Sequence, residues 1–195
     1  MTGLAVLDVG YGNTDSIRLA FERLGAAVEL TADPAEVEQT PRLVLPGVGS
    51  AKYAMARLAE LGLLEALRRR TGPTLGICLG MQLLFEHSEE GDTPCLGLIE
   101  GRVRAMTAAP GHPVPHTGWT RLEWADEATG LIAGDYLYFA HSFACDDGPA
   151  TAARATYGGQ TMPAALRAGH LWGAQFHPER SSAAGASFLQ AFLDA

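Results

Sequence analysis

Four short apolar runs divide the first half of the chain, and three of them stop abruptly. Residues 3–9 (GLAVLDV) end at Gly10, and residues 42–45 (RLVL) end at Pro46-Gly47. Residues 73–77 end in Gly76-Ile77-Cys78-Leu79-Gly80. The fourth run, 27–30, is less sharply bounded. Each is too short for a core helix and reads as a buried strand. Between them the spacing changes to that of helices. Ile17, Ala20, Phe21 and Leu24 lie on one helical face, with Asn13 in N-cap position and Gly25 closing the segment. A second helix is predicted through residues 55–67, and its end, Arg68-Arg69-Arg70, suits the negative end of the helix dipole as a solvated terminus. A third starts at Leu79 and runs to Phe85, with Leu79, Leu83 and one of Met81 or Leu84 facing the core. Strand–helix alternation with short connections predicts a parallel sheet covered by helices on both faces.

The second half reads differently. Residues 99–106, 120–124, 136–143, 152–157, 164–167 and 171–176 all have strand character with turns between them. A last helix over 184–193 places Phe188, Leu189, Phe192 and Leu193 at helical spacing, with Ser181 or Ser182 as cap. The expected fold is α/β: an open, twisted, mostly parallel sheet with helices on both faces and a strand-rich, antiparallel C-terminal half. No repeat or linker interrupts residues 1–195, which are read as one domain.

Composition excludes several function classes. A net charge of −8 lacks the basic face that nucleic acid demands. No apolar run approaches the roughly 18 residues that cross a bilayer. Met1-Thr2-Gly3 carries no basic n-region, so a cytoplasmic location is expected. Cys78, Cys95 and Cys145 are odd in number and widely spaced, which predicts neither a disulfide framework nor a metal site. Lys52 is the sole lysine and Asn13 the sole asparagine, a bias compatible with a GC-rich genome or a warm habitat.

Cys78 is the chemically informative residue. A side chain between two glycines at the carboxyl end of a parallel strand matches the nucleophile elbow, a turn too crowded for larger flanking residues. The turn puts the thiol at a helix start, where the dipole favours thiolate. The same cysteine also reads as a small buried hydrophobe. A nucleophile needs a base. Of the six histidines, His177 stands out in Gln175-Phe176-His177-Pro178-Glu179. The following proline favours extended geometry, and in extended chain residues i and i+2 share a side, so Glu179 would orient His177. A surface turn accounts for the same residues taken alone. Pro46-Gly47-Val48-Gly49 ends another strand. One of its N–H groups, from Val48 or Gly49, together with that of Leu79, is placed for an oxyanion hole, although an ordinary tight turn has the same sequence.

Taken together, Gly76-Ile77-Cys78-Leu79-Gly80-Met81-Gln82 and Phe176-His177-Pro178-Glu179 resemble the class I (triad) glutamine amidotransferases. Four further stretches narrow the resemblance to the glutaminase subunits that serve histidine biosynthesis: Asp8-Val9-Gly10-Tyr11-Gly12-Asn13, Leu45-Pro46-Gly47-Val48-Gly49, Pro115-His116-Thr117-Gly118-Trp119 and Tyr138-Phe139-Ala140-His141-Ser142-Phe143. The resemblance spans the chain. It implies that Cys78 attacks the side-chain amide of L-glutamine, that His177 moves protons and that Glu179 orients it. It further implies that Gln82, Glu90, His141, Ser142 and Phe143 hold the substrate, without a cofactor. Ammonia would pass to a cyclase subunit with a (β/α)8 barrel, in a heterodimer whose surface includes Asn13, Trp119 and Arg180. Thr120, Phe143 and Arg180 stand where many members carry Asn, Tyr and Lys. Rival readings are a glutaminase serving pyridoxal phosphate or anthranilate synthesis, a cysteine-dependent α/β hydrolase or esterase, and a non-catalytic subunit that kept the fold.

Overall fold

The structure is a computed structural model that describes residues 3–10 and 13–195. Tyr11 and Gly12 of the first motif, and Met1 and Thr2 of the expected leader-free start, lie outside the described residues. Strands β1 (Gly3–Leu7), β2 (Ala27–Thr31), β3 (Arg42–Leu45) and β4 (Thr74–Ile77) alternate with helices α1 (Thr14–Arg23), α2 (Pro34–Gln39), α3 (Ala51–Glu60) and α4 (Leu63–Arg69). A short helix α5 (Leu79–Gln82) leads into β5 (Phe85–Ser88), β6 (Thr93–Pro94) and β7 (Ile99–Ala105). Then come β8 (His116–Ala125), β9 (Tyr136–His141), β10 (Phe143–Cys145), β11 (Thr151–Tyr157), β12 (Gln160–Ala168), β13 (Leu171–Ala174) and α6 (Ser182–Leu193).

The main sheet runs β2-β1-β3-β4-β13-β12-β11-β8-β9. Its first five strands are parallel and the rest antiparallel. A smaller sheet, β10-β7-β5-β6, packs beside it. Strand alternation sorts the core into two layers. Leu4, Val6, Val44, Leu75 and Ile77 face Ile17 and Phe21 of α1 and Phe188 and Phe192 of α6. Ala5, Leu7, Leu43 and Leu45 face Val37, Leu58, Leu63 and Leu67 from α2, α3 and α4. Each buried Leu or Phe contributes about 1.5–3 kcal/mol, so the two layers hold both helix sets to one frame.

Several expectations need correction. The predicted helix through 55–67 is two helices, because Gly62 adopts φ 69° and breaks the ladder between α3 and α4. Helix α2 was not expected, although Asp33 caps it by accepting from the N–H groups of Ala35 and Glu36, with Pro34 in the first turn. The helix after Cys78 stops at Gln82 rather than Phe85, and Phe85 opens β5. Asn13 precedes α1 without a side-chain cap bond. Neither Ser181 nor Ser182 caps α6 through its side chain; Ser181 Oγ instead donates to the His177 carbonyl and accepts from Tyr138 N–H. Arg70 is no solvated helix end. It is 3% exposed, and its guanidinium donates to the carbonyls of Val37, Thr40 and Pro73 and to the Thr74 hydroxyl. Burial lowers its pKa to about 10.

Candidate active site

Cys78 follows β4 directly, with φ 54° and ψ −111°, a backbone conformation rare for a residue with a side chain. Three glycines make the turn possible. A Cβ on Gly76 would run into the Gly80 carbonyl, one on Gly80 into the Leu45 carbonyl, and one on Gly47 into the Gly80 nitrogen. The ends of β3 and β4 and the start of α5 therefore interlock. This close approach sets the Pro46–Gly49 loop beside the thiol. The Cys78 N–H donates to the Ala174 carbonyl at 2.7 Å, which ties the elbow to the end of β13.

That tie brings in the histidine. Three residues beyond Ala174, His177 is 9% exposed and its side chain interacts with that of Cys78. Its Nδ1 lies 2.9 Å from Glu179 Oε1, and the Glu179 side chain is 1% exposed. The expected contact is present but its backbone route differs. His177 is extended, whereas Pro178–Arg180 form a 3-10 turn, so the carboxylate swings back through a turn rather than along a strand. Burial opposes a charge on His177, but the hydrogen bonds and charges of Cys78 and Glu179 outweigh it and raise its pKa to about 10.

Both groups open onto a cavity of about 430 Å³ lined by Asn13, Val48, Gly49, Cys78, Leu79, Gln82, Glu90, Pro115, Ala140, His141, Ser142, Phe143, His177 and Arg180. Every expected triad, oxyanion and substrate residue thus reaches one chamber, except that Glu179 stands behind His177. Glu90 also ties the fold together there: its Oε2 accepts the Ala51 N–H at 2.7 Å and fixes the start of α3. Of the expected interface residues, Asn13 and Arg180 sit at the cavity. Trp119 is half exposed and packs edge-on to Tyr138, whose ring Arg180 covers at 5.4 Å.

Sequence reasoning gave no role to two buried polar residues beside this cavity. Gln175 is fully buried, and its Nε2 lies 3.8 Å from Cys78 Sγ. His116 is 1% exposed, and its Nδ1 meets His141 Nε2 at 3.0 Å. The available signal for Gln175 was a lone amide in the otherwise apolar run Leu171-Trp172-Gly173-Ala174-Gln175-Phe176. Among the described residues, no group of three or more His, Cys, Asp or Glu side chains is arranged to hold a metal ion. No helix there is long and apolar enough to cross a membrane.

The model of the glutamine amidotransferase class-I family matches residues 5–195. Among curated proteins, imidazole glycerol phosphate synthase subunit HisH of Xylella fastidiosa strain Temecula1 is 50% identical, covering 100% of this chain and 98% of the relative. Subunit HisH of Xanthomonas axonopodis pv. citri is 48% identical over the same shares. Subunit HisH 2 of Legionella pneumophila strain Lens is 44% identical over 97% and 96%. Among solved structures, a glutamine amidotransferase superposes with TM-score 0.77 at 23% identity, covering 98% of this chain and 97% of the other. PurLQS from Thermotoga maritima superposes with TM-score 0.69 at 20% identity, covering 98% and 97%. At these identities the two structures speak for the fold.

Proposed function

Because the chain belongs to the class-I glutamine amidotransferase family and matches HisH subunits end to end, we propose that it is the glutaminase subunit of an imidazole glycerol phosphate synthase. The observation that carries the catalytic assignment is the 2.9 Å bond from Glu179 to His177, with the Cys78 thiol facing His177 in one cavity.

The chemistry follows from those positions. In the resting site the Cys78 proton is held by His177, and the thiolate attacks the side-chain amide carbon of glutamine. The oxygen of the tetrahedral adduct gains negative charge and is met by the Leu79 N–H and by an N–H of the Val48-Gly49 loop. His177 gives its proton to the amide nitrogen, the C–N bond breaks and ammonia leaves. Water, deprotonated by His177, then opens the Cys78 thioester and releases glutamate and free thiol. Glu179 supports the imidazolium formed twice in this cycle and holds its ring in register. Glu90, Ser142 and the amide oxygen of Gln82 supply polar groups for the glutamine head, the backbone of His141 and Phe143 borders it, and no cofactor enters the scheme.

The ammonia is used by a cyclase subunit with a (β/α)8 barrel. The exposed Trp119 and Asn13, with Arg180 laid over Tyr138, form the face for that partner, and Asn13 and Arg180 also line the cavity mouth. Two sheets that share one cavity support reading residues 1–195 as a single glutaminase domain, and a cytoplasmic site of action goes with this reading. The test is glutamate release from glutamine by the purified chain, first alone and then with the cyclase and its nucleotide ligand. Turnover in the loaded complex is expected. No glutamate under either condition, from folded protein, would sink the assignment and leave a cysteine-dependent hydrolase of another substrate.

A further inference from the structure

Gln175 lies beneath the thiol, and its orientation can be deduced. The Phe143 carbonyl can only accept hydrogen bonds. The Gln82 side-chain atom 2.9 Å from it is therefore the amide nitrogen, Nε2. The other hydrogen of that nitrogen goes to Gln175 Oε1 at 2.9 Å. With its oxygen so engaged, Gln175 must turn its own nitrogen toward Cys78 Sγ, 3.8 Å away. A second chain holds the anchor from the far side. His141 Nδ1 donates to the same carbonyl at 2.8 Å, His116 Nδ1 donates to His141 Nε2, and the Thr120 hydroxyl donates to His116 Nε2 at 2.8 Å. Gln175, Gln82, His141 and His116 are all less than 7% exposed, so water does not compete for these bonds.

The sulfur therefore meets two opposed polar groups. Ala140 O, at 3.8 Å, can accept from an S–H and so suits the thiol. The Gln175 N–H can only donate and so suits the thiolate. We propose that Gln175 is a further catalytic residue, a fixed amide donor that favours the thiolate of Cys78 from below while His177 acts from the cavity side. The inference rests on Cys78 being the nucleophile of glutamine hydrolysis. Other titratable groups around the sulfur are His177 backed by Glu179, His141 backed by His116, and Cys145 on β10, with Glu90 and Arg180 lining the cavity.

The test compares wild type with Gln175→Glu and Gln175→Met. Glu accepts the Gln82 bond as before but turns a carboxylate oxygen toward the sulfur; Met removes the donor and adds no charge. The readout is the pH profile of iodoacetamide alkylation at Cys78, with Cys78→Ala as background and co-elution with the cyclase as proof of fold. Burial raises the thiol pKa of Cys95 to about 11 and raises that of Cys145 as well, so neither competes. The expected result is a midpoint moved to higher pH in both variants and alkylation at pH 7 slower by about tenfold in Gln175→Glu. In the complex, kcat for glutamine should fall in step with little change in KM. A profile superimposable on wild type in either co-eluting variant would overturn the proposal. Absence of glutamine turnover by the wild-type complex would break the glutaminase reading instead.

Discussion

Two buried imidazoles share the cavity wall, and the fold treats them in opposite ways. His177 has a carboxylate at 2.9 Å and a thiol on its other side, and its pKa is raised to about 10. His141 has a carbonyl at 2.8 Å and a second imidazole at 3.0 Å, and burial pushes its pKa down to about 4. His116 behind it is also lowered to about 4 by burial. Desolvation opposes charge at all three. What differs is the partner: a carboxylate stabilises an imidazolium, whereas a chain running from carbonyl through two rings to a hydroxyl offers no negative charge to offset the desolvation of one. One ring is set in surroundings that favour its charge, and its neighbour in surroundings that keep it neutral.

The largest break in this contrast is Cys78→Ala. It should abolish glutamate release, while the complex still makes product from free ammonia. Retained glutamine turnover would remove the thiol from the scheme. Next comes Glu179→Gln, which keeps the shape but takes away the charge that supports His177. Glutamine turnover in the complex should drop by about 10²–10⁴-fold. A drop below tenfold would mean that the carboxylate does not govern the imidazole.

A third prediction concerns stability. The folded pKa of His116 and His141 lies below the ordinary 6.5. The unfolded chain therefore binds protons near pH 6.5 that the folded chain refuses until about 4. Their contribution is present above pH 6.5 and lost as pH falls through this window, so urea midpoints at pH 7 and pH 5 should differ. Equal midpoints would show that the two rings charge freely in the fold. The smallest expected effect is that of Thr120→Val, which removes the hydroxyl at the end of the chain. It should lower kcat by about fivefold or less, since one hydrogen bond at a half-exposed site is worth on the order of 1 kcal/mol. Thr120→Asn, whose amide can donate to the same nitrogen, should restore it. An effect of Thr120→Val as large as that of Glu179→Gln would place the neutral pair at the centre of catalysis.

What could be read from the chain depended on how local the signal was. The elbow was legible because Gly76, Cys78 and Gly80 act within one turn, and the His177-Pro178-Glu179 pairing because its members are two residues apart. The strands of the first half were legible because breakers bound them. Gly62 and the Asp33-Pro34 cap are equally local signals for the break between α3 and α4 and for α2. The rest was not encoded nearby. Arg70 looks like any terminal basic residue until α2 and β4 fold around it. Gln175 reaches Gln82 across a separation of 93 residues, and His116 reaches His141 across 25. No periodicity in the sequence announces either bond.

The most direct measurement is the protonation state of the side chains themselves, by ¹⁵N NMR of histidine-labelled protein between pH 5 and 9. At pH 7 the account predicts an imidazolium at His177 and neutral rings protonated on Nδ1 at His116 and His141. A neutral His177 at pH 7, or a His141 that titrates near 6.5, would contradict it.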